Sequence, residues 1–184
     1  EAAARFETLG VVMDVAGQNA GYTAAQMHDF EVALNKQGIT AKESRTTLTQ
    51  LAAAHVDLSK ASELARGAQD LAVVGGINSS EAFQRMVIGI QRGETEILRS
   101  IGINVQWEKS YESLASKLGK SASALSEQEK IEARTNAVME ESIKYTGIYE
   151  AAMATAGKQL TSMPRYFSDI SVSMGTVGLA TFST

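Results

Sequence analysis

Residues 75–104, GGINSSEAFQRMVIGIQRGETEILRSIGIN, decide how the rest of the chain is read. The stretch opens with Gly76-Ile77-Asn78 and closes with Gly102-Ile103-Asn104. Between them lie two apolar-periodic runs, Phe83, Met86, Val87, Ile90 and then Ile97, Leu98, Ile101, separated at Arg92-Gly93. A glycine just past a helix end takes the left-handed conformation, and an apolar residue after it folds back on the last turn. Asn is a good N-cap, and Glu81 stands three residues beyond Asn78, where a capping box needs it. Gly-apolar-Asn therefore means that one helix stops and the next begins.

The same pattern recurs upstream. Gly21-Tyr22-Thr23 is followed by Gln26, and Gly38-Ile39-Thr40 by Glu43. At Gly102 and Asn104 the third position is Trp107, so that junction lacks the box. Connections this short turn each helix back on its neighbour. The junctions are unevenly spaced, which excludes a solenoid of equal repeats.

Working outward, the periodicity predicts helices over about 2–16, 24–37, from 41 past Ala52, and 60–74. Their expected buried faces carry Phe6, Leu9, Val12 and Met13, then Met27, Phe30 and Leu34, then Leu48, Leu51 and Val56. The alanine-rich fourth helix reads as central and closely approached. Ile103, Val105 and Trp107 alternate as in a strand but have no partner strand, so they read as an extended connector into a helix over 108–118. That helix buries Tyr111, Leu114, Ala115 and Leu118.

Residues 1–119 thus form a helical core, 120–125 a polar loop, and 126–184 a helical arm packing on the core. Ser126 and Glu129 form a capping box at the start of the arm, which is expected to hold the longest helical run. Gly147 and Gly157 weaken it, and Pro164 breaks or kinks it before Arg165 to Met174. The fold class is all-α: a compact multi-helix bundle of short Gly-terminated helices followed by a longer C-terminal helical arm.

A hydrophobic fraction of 44% suffices for a buried core, and 6% aromatics with plentiful Ala favours close helix packing. Zero Cys excludes a disulfide framework and thiol chemistry. A net charge of −4 argues against sequence-specific nucleic-acid binding, which shows a basic footprint. Both ends read as cut: Glu1-Ala2-Ala3-Ala4-Arg5 resembles a helical spacer, and the far end stops in an apolar stretch. The expectation is an excerpt from a longer protein.

The residues offer no catalytic, cofactor or metal set. His28 and His55 are isolated, and His55 and Asp57 are too close in sequence to share a helix face. Gly75-Gly76 and Gly89 to Gly93 lack the Gly-Lys-Ser/Thr of a phosphate loop. Glu94 and Glu96 face different sides of a helix, whereas acid-base work needs convergence. Arg85, Arg92 and Arg99 read as a solvated stripe before an anion site, and Trp107 with Tyr111 as a core pair before a ligand platform. The chain is not expected to be an enzyme.

Several stretches carry a resemblance. Arg5-Phe6-Glu7-Thr8-Leu9-Gly10-Val11-Val12-Met13 is one, Ala72-Val73-Val74-Gly75-Gly76-Ile77-Asn78-Ser79-Ser80-Glu81-Ala82 another, and Leu98-Arg99-Ser100-Ile101-Gly102-Ile103-Asn104-Val105 a third. Ser126-Glu127-Gln128-Glu129-Lys130, Tyr149-Glu150-Ala151-Ala152-Met153 and Ala156-Gly157-Lys158-Gln159-Leu160 follow in the same order. Together they resemble segments of the tail-length tape-measure proteins of long-tailed bacteriophages and prophages. The chain departs from the family at Pro164.

The resemblance implies a structural virion protein that occupies the tail-tube lumen, helps set tail length and is ejected with DNA into the host. It implies the host cytoplasm during assembly and the periplasm or inner membrane after ejection. Its implied partners are tail-tube and tail-assembly proteins, and it supplies no active-site residues. Competing readings are a helical interaction module for a host envelope protein, an assembly chaperone or a second copy of itself, and a membrane-active segment suggested by Val172 to Phe182.

Overall fold

The computed structural model describes residues 2–155. Among them are nine α-helices and three short 3-10 turns, with no strand. The helices are α1 (Ala2–Asn19), α2 (Ala24–Lys36), α3 (Ala41–Ala53), α4 (Ala61–Gly75), α5 (Ser79–Arg92), α6 (Thr95–Arg99), α7 (Trp107–Lys117), α8 (Glu127–Ser142) and α9 (Ile148–Met153). The fold is all-α and compact.

The helix ends follow from local chemistry. Gly21, Gly38, Gly76 and Gly102 all take positive φ. After each, the apolar residue donates its N–H back to a carbonyl of the finished helix, as Ile77 does to Ala72 at 3.0 Å and Ile103 to Leu98 at 3.0 Å. A fifth corner uses the same bonds without glycine. His55 takes φ 53, Val56 donates to Leu51 at 2.9 Å, and Asp57 caps the following 3-10 turn through Ser59. His55-Val56-Asp57 is thus the same three-residue signal with His in the glycine place.

The N-caps are more varied than the sequence pattern. Thr23 with Gln26 and Ser126 with Glu129 form complete capping boxes. Thr40 accepts from the Glu43 N–H, but its own N–H donates to Ser80 Oγ at 3.0 Å, so Glu43 is not needed there. Asn78 accepts from the Glu81 N–H at 2.9 Å, while the Glu81 carboxylate turns to Arg85 at 2.7 Å. Asn104 is not a cap. The chain stays extended to Gln106, because Ile103, Val105 and Trp107 bury alternate side chains before α7 can start.

Central α4 packs against α2, α5, α8 and α9. It buries Leu64, Ala65, Gly67, Ala68, Leu71 and Ala72, and α5 adds Phe83, Met86, Val87 and Ile90. Small residues set the spacing. A Cβ on Gly67 would lie 2.8 Å from Ser142 Oγ of α8, and one on Gly89 2.5 Å from Leu98 Cγ.

Residues 126–155 of the expected arm pack on this core. Val138 of α8 is fully buried within it, and Ala133, Arg134, Thr135 and Ser142 are buried too. The longest described helix is α1. The run after Ser126 breaks at Ile143–Tyr145 and Gly147, whose φ is 91, before α9. Long-range polar bonds hold this end: the Tyr149 N–H donates to buried Asp70 Oδ1 at 2.8 Å, and Tyr145 OH to the Gly102 carbonyl at 2.7 Å. Asp70 thereby caps α9, whose own start lacks a side-chain cap. The polar loop 120–125 contains a 3-10 turn and buries Leu125. Gly157, Ser162, Pro164, the helix from Arg165 to Met174 and the apolar stretch from Val172 to Phe182 lie outside the described residues.

Two expected faces differ. Val12 is 45% exposed and Leu118 49% exposed. Val12 lies on α1, and Leu118 is the C-cap just past the end of α7.

Candidate functional site

The groups singled out in the sequence do not converge. His28 lies on the open face of α2, with Nδ1 3.5 Å from Glu31 Oε2. Arg85 pairs with Glu81 at 2.7 Å and also donates to Ser100 Oγ at 2.8 Å. Arg92 lies 3.6 Å from Glu94 and Arg99 lies 2.5 Å from Glu96. Each arginine of the stripe therefore meets a carboxylate, and the stripe has little net field to attract an anion. Trp107 is buried and donates Nε1–H to the Gly93 carbonyl at 2.7 Å, which makes it an anchor for the α5 end. Tyr111 packs partly buried against the same core.

A cleft of about 380 Å³ opens between the Gly21 corner, the His55 corner and α8. Its polar wall includes Tyr22, His55, Asp57, Lys60, Glu132 and Thr135. Most of these groups are committed to holding the corner. Tyr22 OH accepts from the Leu58 N–H at 3.2 Å, Lys60 Nζ donates to Asn136 Oδ1 at 2.9 Å, and Thr135 Oγ1 donates to the Ile131 carbonyl at 2.8 Å. Asp57 bonds Ser59, which holds its carboxyl below the usual carboxylate range against a smaller opposing effect of burial. Lys60 and Asp57 of opposite sign share the rim with His55 and Glu132, so the cleft does not focus one charge. Its two carboxyls, Asp57 and Glu132, come from the His55 corner and from α8.

Among the described residues, no group of three His, Cys, Asp or Glu could hold a metal ion, and no helix is long and apolar enough to cross a membrane.

Three polar features, buried or half-buried, were invisible in the sequence. Arg45 of α3 binds Glu31 of α2 at 2.7 Å and the Phe6 carbonyl of α1 at 2.7 Å, with its guanidinium 3.6 Å from the Phe6 ring centre. Asp70 caps α9 from 79 positions away. Arg134 is buried beside Gly93, with Nε lacking a hydrogen-bond partner. Its charge stands at the C-terminal end of α5, where the helix dipole favours a cation. A Cβ on Gly93 would lie 2.7 Å from Arg134 Nη1. These roles depend on residues distant in sequence, so no local pattern announces them. His55 is different, because its corner repeats the junction pattern one residue type removed.

The surface also carries an apolar strip on α1, with Val11 64% and Val15 51% exposed beside Val12. Compared with known proteins, the chain matches no family model, no curated protein and no solved structure.

Proposed function

We propose that this chain is a segment of a phage tail tape-measure protein, a structural virion component that acts by length and by folding rather than through a pocket. The observation that supports this reading is where the resembling stretches fall. Among the described residues, two of them coincide with helix junctions, Gly75-Gly76-Ile77-Asn78 and Gly102-Ile103-Asn104, and none of those described brings a catalytic side chain to the cleft. In this reading the segment occupies the tail-tube lumen, contacts tail-tube and tail-assembly proteins, and leaves with the DNA. A compact bundle is an awkward cargo for a narrow tube, so the segment is extended or rearranged in the virion and closes after ejection. The many glycine-ended short helices suit such a change, because each junction is a place where helical pieces can separate.

The test is an in-frame deletion of residues 24–118, followed by electron microscopy of tail lengths. A helical ruler loses about 1.5 Å of tail for each residue removed, roughly 140 Å in all. Unchanged tails would overturn the ruler.

The second reading, a helical module for a host envelope protein or assembly chaperone, draws on the exposed valines of α1, since apolar clusters on a surface mark interaction sites. Unchanged tail length with lost infectivity would favour it.

A further inference from the structure

We propose that the buried guanidinium of Arg134, at the Gly93 corner, is a binding site for a small free oxyanion of phosphate size. This rests on the surroundings of one side chain and is independent of any role in a phage tail.

Arg134 of α8 is only 6% exposed and lies against the Gly93 turn that ends α5. A guanidinium is a fork of N–H donors with no acceptor. Among the described residues, none of the Arg134 nitrogens makes a hydrogen bond or an ion pair. Nε is sealed from solvent, so the terminal Nη edge is what reaches the surface. The groups beside it are committed elsewhere. The Gly93 carbonyl accepts from Trp107 Nε1–H at 2.7 Å, Glu94 stands 3.6 Å from Arg92, and Glu127 accepts from Lys130 at 2.7 Å. Glu127 also feels the charge of Arg134. Its carboxyl is nevertheless held below the ordinary range first by the Lys130 bond and last by Arg134. Arg92, Lys130 and Arg134 against Glu94 and Glu127 leave one positive charge in excess.

A buried charge destabilises a fold unless it is paired and hydrogen-bonded. Lysine or histidine in such a place sheds its proton, but arginine keeps its charge at any pH that leaves a protein folded. The dipole at the C-terminal end of α5 offsets about half a charge and makes no hydrogen bond to the guanidinium. What remains calls for an anion from outside the chain. The two parallel N–H groups of a guanidinium edge match two oxygens of a phosphate or sulfate. So little of Arg134 is open that a free ion fits the opening better than a group carried on a large molecule. Gly93 leaves room for the guanidinium, since a Cβ there would lie 2.7 Å from Nη1. Bound at this edge, the anion neutralises Arg134 and braces α8 against the end of α5.

Denaturant unfolding of the full chain, followed by the fluorescence of Trp107, the only tryptophan, tests the proposal. Inorganic phosphate is titrated against chloride at constant ionic strength. Above its dissociation constant, each tenfold rise in phosphate should lower the unfolding constant about tenfold. Arg134→Met keeps an unbranched side chain and removes the charge. Its unfolding constant should change less than about twofold over the same range, which measures the general salting effect of phosphate. In chloride alone, Arg134→Met should be at least as stable as the unmodified chain, because an unpaired buried charge has given way to an apolar group. An unmodified chain that does not respond to phosphate, or a variant that responds equally, would overturn the site. So would a variant that is unfolded or clearly weaker in chloride alone, since the guanidinium would then be satisfied within the fold itself.

Discussion

Helices α1 and α4 make contact with the bundle by opposite means. Helix α4 buries nine of its fifteen residues, Leu64 and Leu71 among them, and reaches four other helices. Helix α1 is longer but buries two residues and turns Val11, Val12 and Val15 outward. It lies along α3, whose Arg45 bonds both the Phe6 carbonyl and the Glu31 carboxylate. The difference teaches that helix length and docking strength are separate quantities. Propensity can make α1 long, but apolar burial, at about 25 cal/mol per Å², is what makes a helix hard to remove.

The sharpest way to break this comparison is to truncate one side chain on each side of it. Phe83→Ala, in α5 against α4, should cost about 3–5 kcal/mol, because a fully buried ring leaves a cavity that close-packed helices cannot fill. Val12→Ala on α1 should stay within about 0.5 kcal/mol. Denaturant unfolding followed at Trp107 measures both, and similar losses would end the distinction.

A smaller effect is expected where α4 ends. Gly76 has φ 65 with nothing within 4 Å of a Cβ position, so the cost of Gly76→Val is backbone strain and not collision. The variant should lose about 1–2 kcal/mol. An unaltered midpoint would mean that the α4 terminus contributes nothing beyond its packed face.

The corner before α4 offers the reverse change. His55 holds a left-handed conformation that the other corners of this type assign to glycine. His55→Gly should stabilise the fold by about 0.5–1 kcal/mol, less whatever the added freedom of the unfolded chain takes back. A loss of stability would show that the imidazole makes a contact stronger than the strain it sits in.

The smallest effect concerns pH. Burial holds the Glu43 carboxyl above its ordinary value, with Lys42 pulling the other way, and Glu43 Oε1 has no hydrogen-bond partner. A raised carboxyl weakens the fold as pH climbs from its ordinary value through its elevated one, and the penalty persists above. Glu43→Gln should therefore unfold at a higher denaturant midpoint than the unmodified chain at neutral pH. The advantage should vanish on acidification below the ordinary carboxylate range. An advantage that is the same at both pH values would assign it to packing instead of charge.

Much of this fold was legible because its punctuation is local. A glycine with positive φ, an apolar residue folding back and a capping side chain lie within a few positions of one another. Gly21-Tyr22-Thr23, Gly38-Ile39-Thr40 and Gly76-Ile77-Asn78 thus set helix ends by their own chemistry. The alanines of α4 likewise announced a helix that its neighbours approach closely. The candidate cleft was not legible, since it joins Tyr22, Asp57 and Glu132 from three separated segments.

Tertiary structure decided the rest, and in each case a distant group took over a bond that local sequence had a candidate for. Ser80 accepts the Thr40 N–H in place of Glu43, and Arg85 draws Glu81 away from Asn78. Asp70 supplies the cap that α9 lacks, and Arg45 fastens a helix whose apolar periodicity pointed Val12 at the core. Local sequence fixes which backbone N–H and C=O groups a helix end leaves open, because that count depends only on where the helix stops. Which side chain satisfies them depends on what packing brings within 3 Å, and the folded chain alone settles that.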